Sequence, residues 1–306
     1  MAGSQEEVQN GLAKLSLVPN KNSSTKISTK LVDKSTTHQT YNVVLVHEKE
    51  GKIKEDKVRT TVTHTASVVD QWIASVYAEF RNKLNNLVLG LDIEWSRKSR
   101  DGYSRNKVAV VQLCFSTRCL IFHISRCDEI PESLADFLSN EKFIFVGAGI
   151  DGDAHKLWVD YGLYVGRTEE VGTLAAFKLT KTFGDYRNSG LYNAGLKNLA
   201  KDVLRLEIPK PRQIQTSNWN VSFLTEQQIE YACLDALVSF KLFIDLRSLP
   251  TPTHTNREPK KFFRDFSEKK TEEEGTEQVS DKKANGTKEA KQVPDKKPNG
   301  TKSRRP

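Results

Sequence analysis

Apolar and polar positions in the middle of the chain predict a run of strands followed by a run of helices. Tyr41–Val46 and Val58–Thr63 are β-rich runs on either side of a charged segment containing Gly51, which predicts a hairpin or strand pair. Val69, Trp72, Ile73, Val76 and Phe80 recur at the spacing of a helix that buries one face. Leu87–Ile93, Val108–Phe115 and Leu120–Ile124 are apolar runs of strand length separated by turn-like segments. Leu134–Leu138 reads as a short helix and Phe143–Val146 as a further buried strand.

A helix is expected to start near Asp151–Asp153 and to run through Leu157 and Trp158, and Leu196, Leu199, Ala200, Val203 and Leu204 mark another. The last helix opens on Thr225-Glu226-Gln227-Gln228, a capping-box pattern, with Leu224 and Ile229 at the two positions of a hydrophobic staple. Its stripe runs from Ile229 through Ala232, Ala236 and Phe240 to Phe243, and Pro250-Thr251-Pro252 closes the fold. Strands clustered early and helices late, around a mixed sheet, indicate an α/β domain.

Composition narrows where that domain sits. Only 37% of the residues are hydrophobic, and the deficit lies at the ends. Residues 1–36 and 250–306 are rich in Lys, Ser, Thr and Glu and cannot bury enough apolar surface to offset the entropy of ordering them. Both are expected to be disordered tails around one domain at 37–249. The formal net charge is +8, but residues 250–306 hold 15 Lys/Arg against 10 Asp/Glu, and residues 1–36 hold 5 against 3. The basic balance therefore belongs to the tails, for which simple solvation is favoured over polyelectrolyte binding. A near-repeat, DKKANGTK at Asp281–Lys288 and DKKPNGTK at Asp295–Lys302, reads as low-complexity tail. Cys114, Cys119, Cys127 and Cys233 show no metal-ligand pairing, and Cys114 and Cys233 read as small core residues. With no signal peptide and no membrane-spanning run, the expectation is a soluble nuclear or cytoplasmic protein with reduced thiols.

The candidate chemistry lies in carboxylates. In Leu91-Asp92-Ile93-Glu94-Trp95, strand alternation sends Asp92 and Glu94 to one face. Two such groups at the end of an apolar strand repel each other, and a hard divalent cation relieves that repulsion. A solvated strand edge is the plainer reading. Asp153 follows Gly147-Ala148-Gly149-Ile150-Asp151-Gly152, where helix capping would also explain an acid and no Lys-Ser/Thr follows to make a phosphate-binding loop. Asp151 keeps the capping reading. Tyr231 and Asp235, at i and i+4, share a face of the last helix, either as an exposed pair or facing a cleft.

Taken together these motifs resemble the DEDDy branch of the DnaQ-like 3′–5′ exonucleases, most closely its Werner-type and RNase D-like members. The resemblance covers about residues 41–249. Val111-Gln112-Leu113, Gly195-Leu196-Lys197-Asn198-Leu199 and Ser217-Asn218-Trp219 support it, and the Tyr41–Thr63 region suggests the short Werner-like enzymes of plants. It implies an RNase H-like fold with a five-stranded mixed sheet flanked by helices, and two Mg²⁺ or Mn²⁺ ions. Asp92, Glu94 and Asp235 would hold one ion, with Asp92 bridging to a second bound by Asp153. Tyr231 would orient the attacking water, and the product would be a nucleoside 5′-monophosphate. The partner would be a nucleic-acid 3′ end, DNA or RNA. Trp95 could stack on a terminal base or be buried under the sheet, and Lys210 and Arg212 could contact phosphates or line a solvated loop. The competing readings are a catalytically silent nucleic-acid-binding module and an oligomeric scaffold. Retention of all four acids and the tyrosine argues for the enzyme.

Overall fold

A computed structural model of the chain describes residues 25–49, 51–81, 87–96, 106–180 and 186–250. Its strands are β1 (Lys26–Lys34), β2 (His38–Lys49), β3 (Lys52–Thr63), β4 (Leu87–Glu94), β5 (Val110–Phe115), β6 (Arg118–Phe122), β7 (Phe143–Gly147) and β8 (Thr168–Glu170). The helices are α1 (Ala66–Glu79), α2 (Glu132–Ser139), α3 (Ile150–Tyr161), α4 (Val171–Leu179), α5 (Leu196–Leu199), α6 (Arg212–Gln215) and α7 (Glu226–Ser248). The strands make one mixed sheet in the order β1-β2-β3-β6-β5-β4-β7-β8. From β6 to β8 it is the expected five-stranded sheet, with β5 antiparallel to β4 and β6, and β7 parallel to β4 and β8. The fold is that of the DnaQ-like exonucleases.

Three N-terminal strands extend this sheet through a parallel pairing of β3 with β6. The expected hairpin is present as β2 and β3. The expected tail at 1–36 needs correction, because residues 26–34 form β1, antiparallel to β2. Ile27 packs against the core and the Thr29 hydroxyl donates to Glu230 on α7 at 2.7 Å, while Lys26, Ser28 and Lys30, which alternate with them, are exposed. Residues 1–24 and 251–306, the remainder of the expected tails, lie outside the described residues.

Helices cover both faces of the sheet. On one, α1, α2 and α3 bury an aromatic cluster in which Trp72, Tyr77 and Phe143 surround Phe137. On the other, α7 lies across β4, β5 and β6, with α4 and α5 beside it. Gly90 sets how closely α7 approaches, since a Cβ there would collide with the carbonyl oxygen of Ala236. Thr225 caps α7 reciprocally, its Oγ1 accepting from the Gln228 amide N–H and its own N–H donating to Gln228 Oε1. The helix expected over 196–204 is one α-turn followed by a π-turn at Ala200–Leu204, ended by Arg205 in the left-handed region at φ 60°. Cys114 and Cys233 are free and fully buried, as their apolar surroundings predict. No helix among the described residues is long and apolar enough to cross a membrane.

Candidate active site

Asp92 and Glu94 stand at the C-terminal end of β4, pointing to the face that α7 covers. Asp235 reaches them from α7, because the close packing over Gly90 brings that helix onto the strand. One carboxylate oxygen from each of Asp92, Glu94 and Asp235 lies within 4.8 Å of the others. Glu94 and Asp235 are buried and Asp92 keeps some solvent contact. Asp153, in the first turn of α3, stands outside this tight trio but near enough for its charge to act on Glu94. Asp151 sits in the same turn on the exposed side and accepts a hydrogen bond from Thr168, in keeping with a helix-start role.

The electrostatics follow from burial and crowding. Desolvation, then the charge of Asp235, pushes Asp92 up to about 8. Desolvation, then Asp92 and Asp235, pushes Glu94 up to about 10. Asp153 is raised to about 9 by desolvation, then by Asp92 and Glu170. Asp235 is also raised by burial, against the pull of Lys210. Lys210 Nζ lies 2.7 Å from Asp235 Oδ2 and 5.3 Å from the centre of the Tyr231 ring. Burial works against its ammonium, but Asp235 and then Asp92 outweigh burial and hold its pKa above the ordinary value. One ammonium cannot neutralise four gathered acids. An all-oxygen, partly dry donor set of this kind fits a hard divalent cation.

Tyr231 is buried one helical turn from Asp235, with its ring 6.0 Å from that of Trp219. The Trp219 loop is pinned from several directions. Ser96, two residues past Glu94, donates to Asn218 Oδ1 and accepts from the amides of Trp219 and Asn220. His123, held neutral by burial that lowers its pKa to about 4, donates from Nε2 to the Trp219 carbonyl at 3.0 Å. Gln228 Nε2 donates to Ser217 and to the Asn218 carbonyl. On the other side of the site, the Glu170 carboxylate accepts from the amides of Gly149, Ile150 and Gly172, fixing the turn that delivers Asp153. The sequence motifs do not single out Ser96, His123, Gln228 or Glu170 for this work. Only the Thr-x-x-Gln capping pattern marks Gln228 at all.

The remaining candidates separate. Trp95 is half-buried against the α1–α3 side, with Lys156 Nζ 5.2 Å from its ring centre. Arg212 is exposed at the start of α6, and Lys210 is the basic residue that reaches the acids.

The fold is that of the DnaQ-like class, with a cluster of acids where β4 meets α7. The chain belongs to the 3′–5′ exonuclease family, whose sequence profile matches residues 69–249. It is 34% identical over 196 residues to a 3′–5′ exonuclease of Arabidopsis thaliana, covering 63% of this chain and 65% of that protein. It is likewise 34% identical over 165 residues to the mouse bifunctional 3′–5′ exonuclease/ATP-dependent helicase WRN, covering 53% of this chain and 11% of that one. The chain thus spans less than two thirds of the length of these curated relatives. Among solved structures, the EXD2 exonuclease domain soaked in Mn and Mg is 28% identical, with 62% of this chain and 89% of that chain covered and a TM-score of 0.34. Strands β1–β3 precede the segment that the family profile matches.

Proposed function

We propose that the protein is a metal-dependent 3′–5′ exonuclease that hydrolyses phosphodiester bonds at nucleic-acid 3′ ends and releases nucleoside 5′-monophosphates. The observation that carries this reading is the convergence of Asp92, Glu94 and Asp235 within 4.8 Å, with Asp153 facing them and Tyr231 alongside. Asp92, Glu94 and Asp235 would hold one divalent ion, Mg²⁺ or Mn²⁺, and Asp92 with Asp153 a second. Bound there, the ions supply activation of a water and neutralisation of the leaving 3′-oxygen. The chain's own residues do the rest. Tyr231 keeps its proton and offers its hydroxyl to align the attacking water. Lys210, already above its ring, is placed to meet a phosphate, and Arg212 lies two residues farther along the same segment.

The test uses purified protein and a 5′-labelled single-stranded oligonucleotide, so that each shortened intermediate stays visible. Mg²⁺ or Mn²⁺ should support stepwise shortening from the 3′ end, and EDTA should abolish it. Asp92→Ala should remove nearly all activity. Undiminished shortening by Asp92→Ala would refute the assignment.

A further inference from the structure

Gln112 stands in the middle of β5 with its side chain fully buried, and neither its Oε1 nor its Nε2 has a hydrogen-bond partner among the described residues. An apolar side chain of similar size would be the more stable occupant of such a position, so an amide there calls for a reason. The strand register supplies one. Gln112 pairs with Asp92 on β4 and with Ile121 on β6, and paired residues project to the same face of the sheet. Directly opposed Cβ atoms stand about 5 Å apart, well within the reach of a glutamine side chain.

The other neighbours on this face are accounted for. Ile121 offers nothing polar. Along β4 the flanking residues of the same face are Gly90, which has no side chain, and Glu94. His123, two residues beyond Ile121, is committed to the Trp219 carbonyl. From α7 above, Asp235 is paired with Lys210, and the Tyr231 ring lies between Lys210 and Trp219. Cys114 along β5 and Cys119 on β6 share this face, but thiols are weak acceptors, so the strong acceptors for an amide donor are the strand carboxylates, with Asp92 directly opposite.

We propose that Gln112 is a positioning residue for Asp92, its Nε2–H donating to an Asp92 carboxylate oxygen and fixing the orientation in which that carboxylate holds a divalent ion. This rests on the reading of Asp92 as a ligand. A carboxylate oxygen has lone pairs enough to bind an ion and accept an amide at once. Removing such an orienting partner typically weakens metal affinity or activity by about 10- to 100-fold.

The test compares Gln112→Leu and Gln112→Met in the full chain with wild type, by Mn²⁺ calorimetry, thermal melting in EDTA and exonuclease rate. Melting in EDTA should stay close to wild type, because an apolar side chain of similar size fills the space and removes a buried Oε1 that has no partner. The Mn²⁺ dissociation constant should rise about 10-fold or more, and the maximal rate should fall with little change in KM for the oligonucleotide. A lower melting point with wild-type Mn²⁺ affinity in both variants would show that the amide serves the fold, and would overturn the proposal. So would wild-type values in all three measurements. Asp92→Asn separates the two readings. If it leaves Mn²⁺ binding intact, the ligand assignment fails and this proposal with it. If it abolishes binding while the Gln112 variants bind normally, only the positioning role falls.

Discussion

Tyr231 stands one helical turn from Asp235, with Trp219 against its ring and Lys210 above it. Burial, then the charges of Asp235, Glu94 and Asp92, raises its pKa well above the ordinary phenol value. The hydroxyl therefore stays protonated at any working pH, which suits a hydrogen-bond donor and not a metal ligand. Tyr231→Phe should cut the rate by about tenfold to a thousandfold, the range for one positioned catalytic group. The metal concentration for half-maximal activity should hardly move, whereas Asp235→Asn should change both. Metal titrations of the two variants check this, and a wild-type rate from Tyr231→Phe would reduce the tyrosine to packing. These residues are legible in the sequence because their spacing is local: i and i+2 on a strand, i and i+4 on a helix. The residues that hold the site in place are not. Glu170, Ser96 and His123 act on backbone groups in remote segments, and no periodicity announces such bonds.

At the scale of elements, the contact of α7 with β4 decides whether two separate motifs become one site. Gly90→Ala would drive a methyl group into the backbone of α7 at Ala236. Backbone cannot give way as a side chain does, so a loss of about 3 kcal/mol or more is expected, at the upper end of overpacking costs. Mn²⁺ affinity should fall with it as Asp235 is pushed from Asp92. Denaturant unfolding and calorimetry measure both, and wild-type values would show that the helix docks without this close approach. The same scale shows why some elements are legible and others hidden. The capping box of α7 and the alternation in β2 and β3 are strong local signals. β8 is a three-residue strand of Thr-Glu-Glu, and α4 is apolar around most of its surface and lacks a clear stripe. β1 alternates Lys26, Ser28 and Lys30 with Ile27, Thr29 and Leu31, a composition that mimics a tail. Lysines on an exposed edge strand discourage further pairing, so the tail-like signature is also the signature of a protected sheet edge.

For the whole molecule, the gathered acids make stability depend on pH and metal together. Unfolded carboxylates titrate near pH 4, whereas folded Asp92, Asp153 and Glu94 are raised to about 8, 9 and 10, desolvation being the largest cause in each case. Between those limits the folded protein keeps protons that the unfolded chain has already released. Stability from these groups is therefore fully present below the unfolded carboxylate range and is lost as pH rises toward and through the folded values. Each group that stays protonated contributes a slope of about 1.4 kcal/mol per pH unit. Even one such group corresponds to about 2–4 °C per pH unit for a domain of this size. Melting in EDTA should accordingly fall between pH 5 and pH 8. Saturating Mn²⁺ should flatten or reverse that slope, because the ion binds the deprotonated carboxylates and displaces their protons. Asp92→Asn should make the EDTA slope shallower, since it removes one titrating group and relieves the crowding on the others. Calorimetric melts across this range, with EDTA and with Mn²⁺, give the answer. A flat EDTA profile would mean that the acids are separately solvated and do not share one dry site, which would remove the electrostatic reason for a cation between β4 and α7.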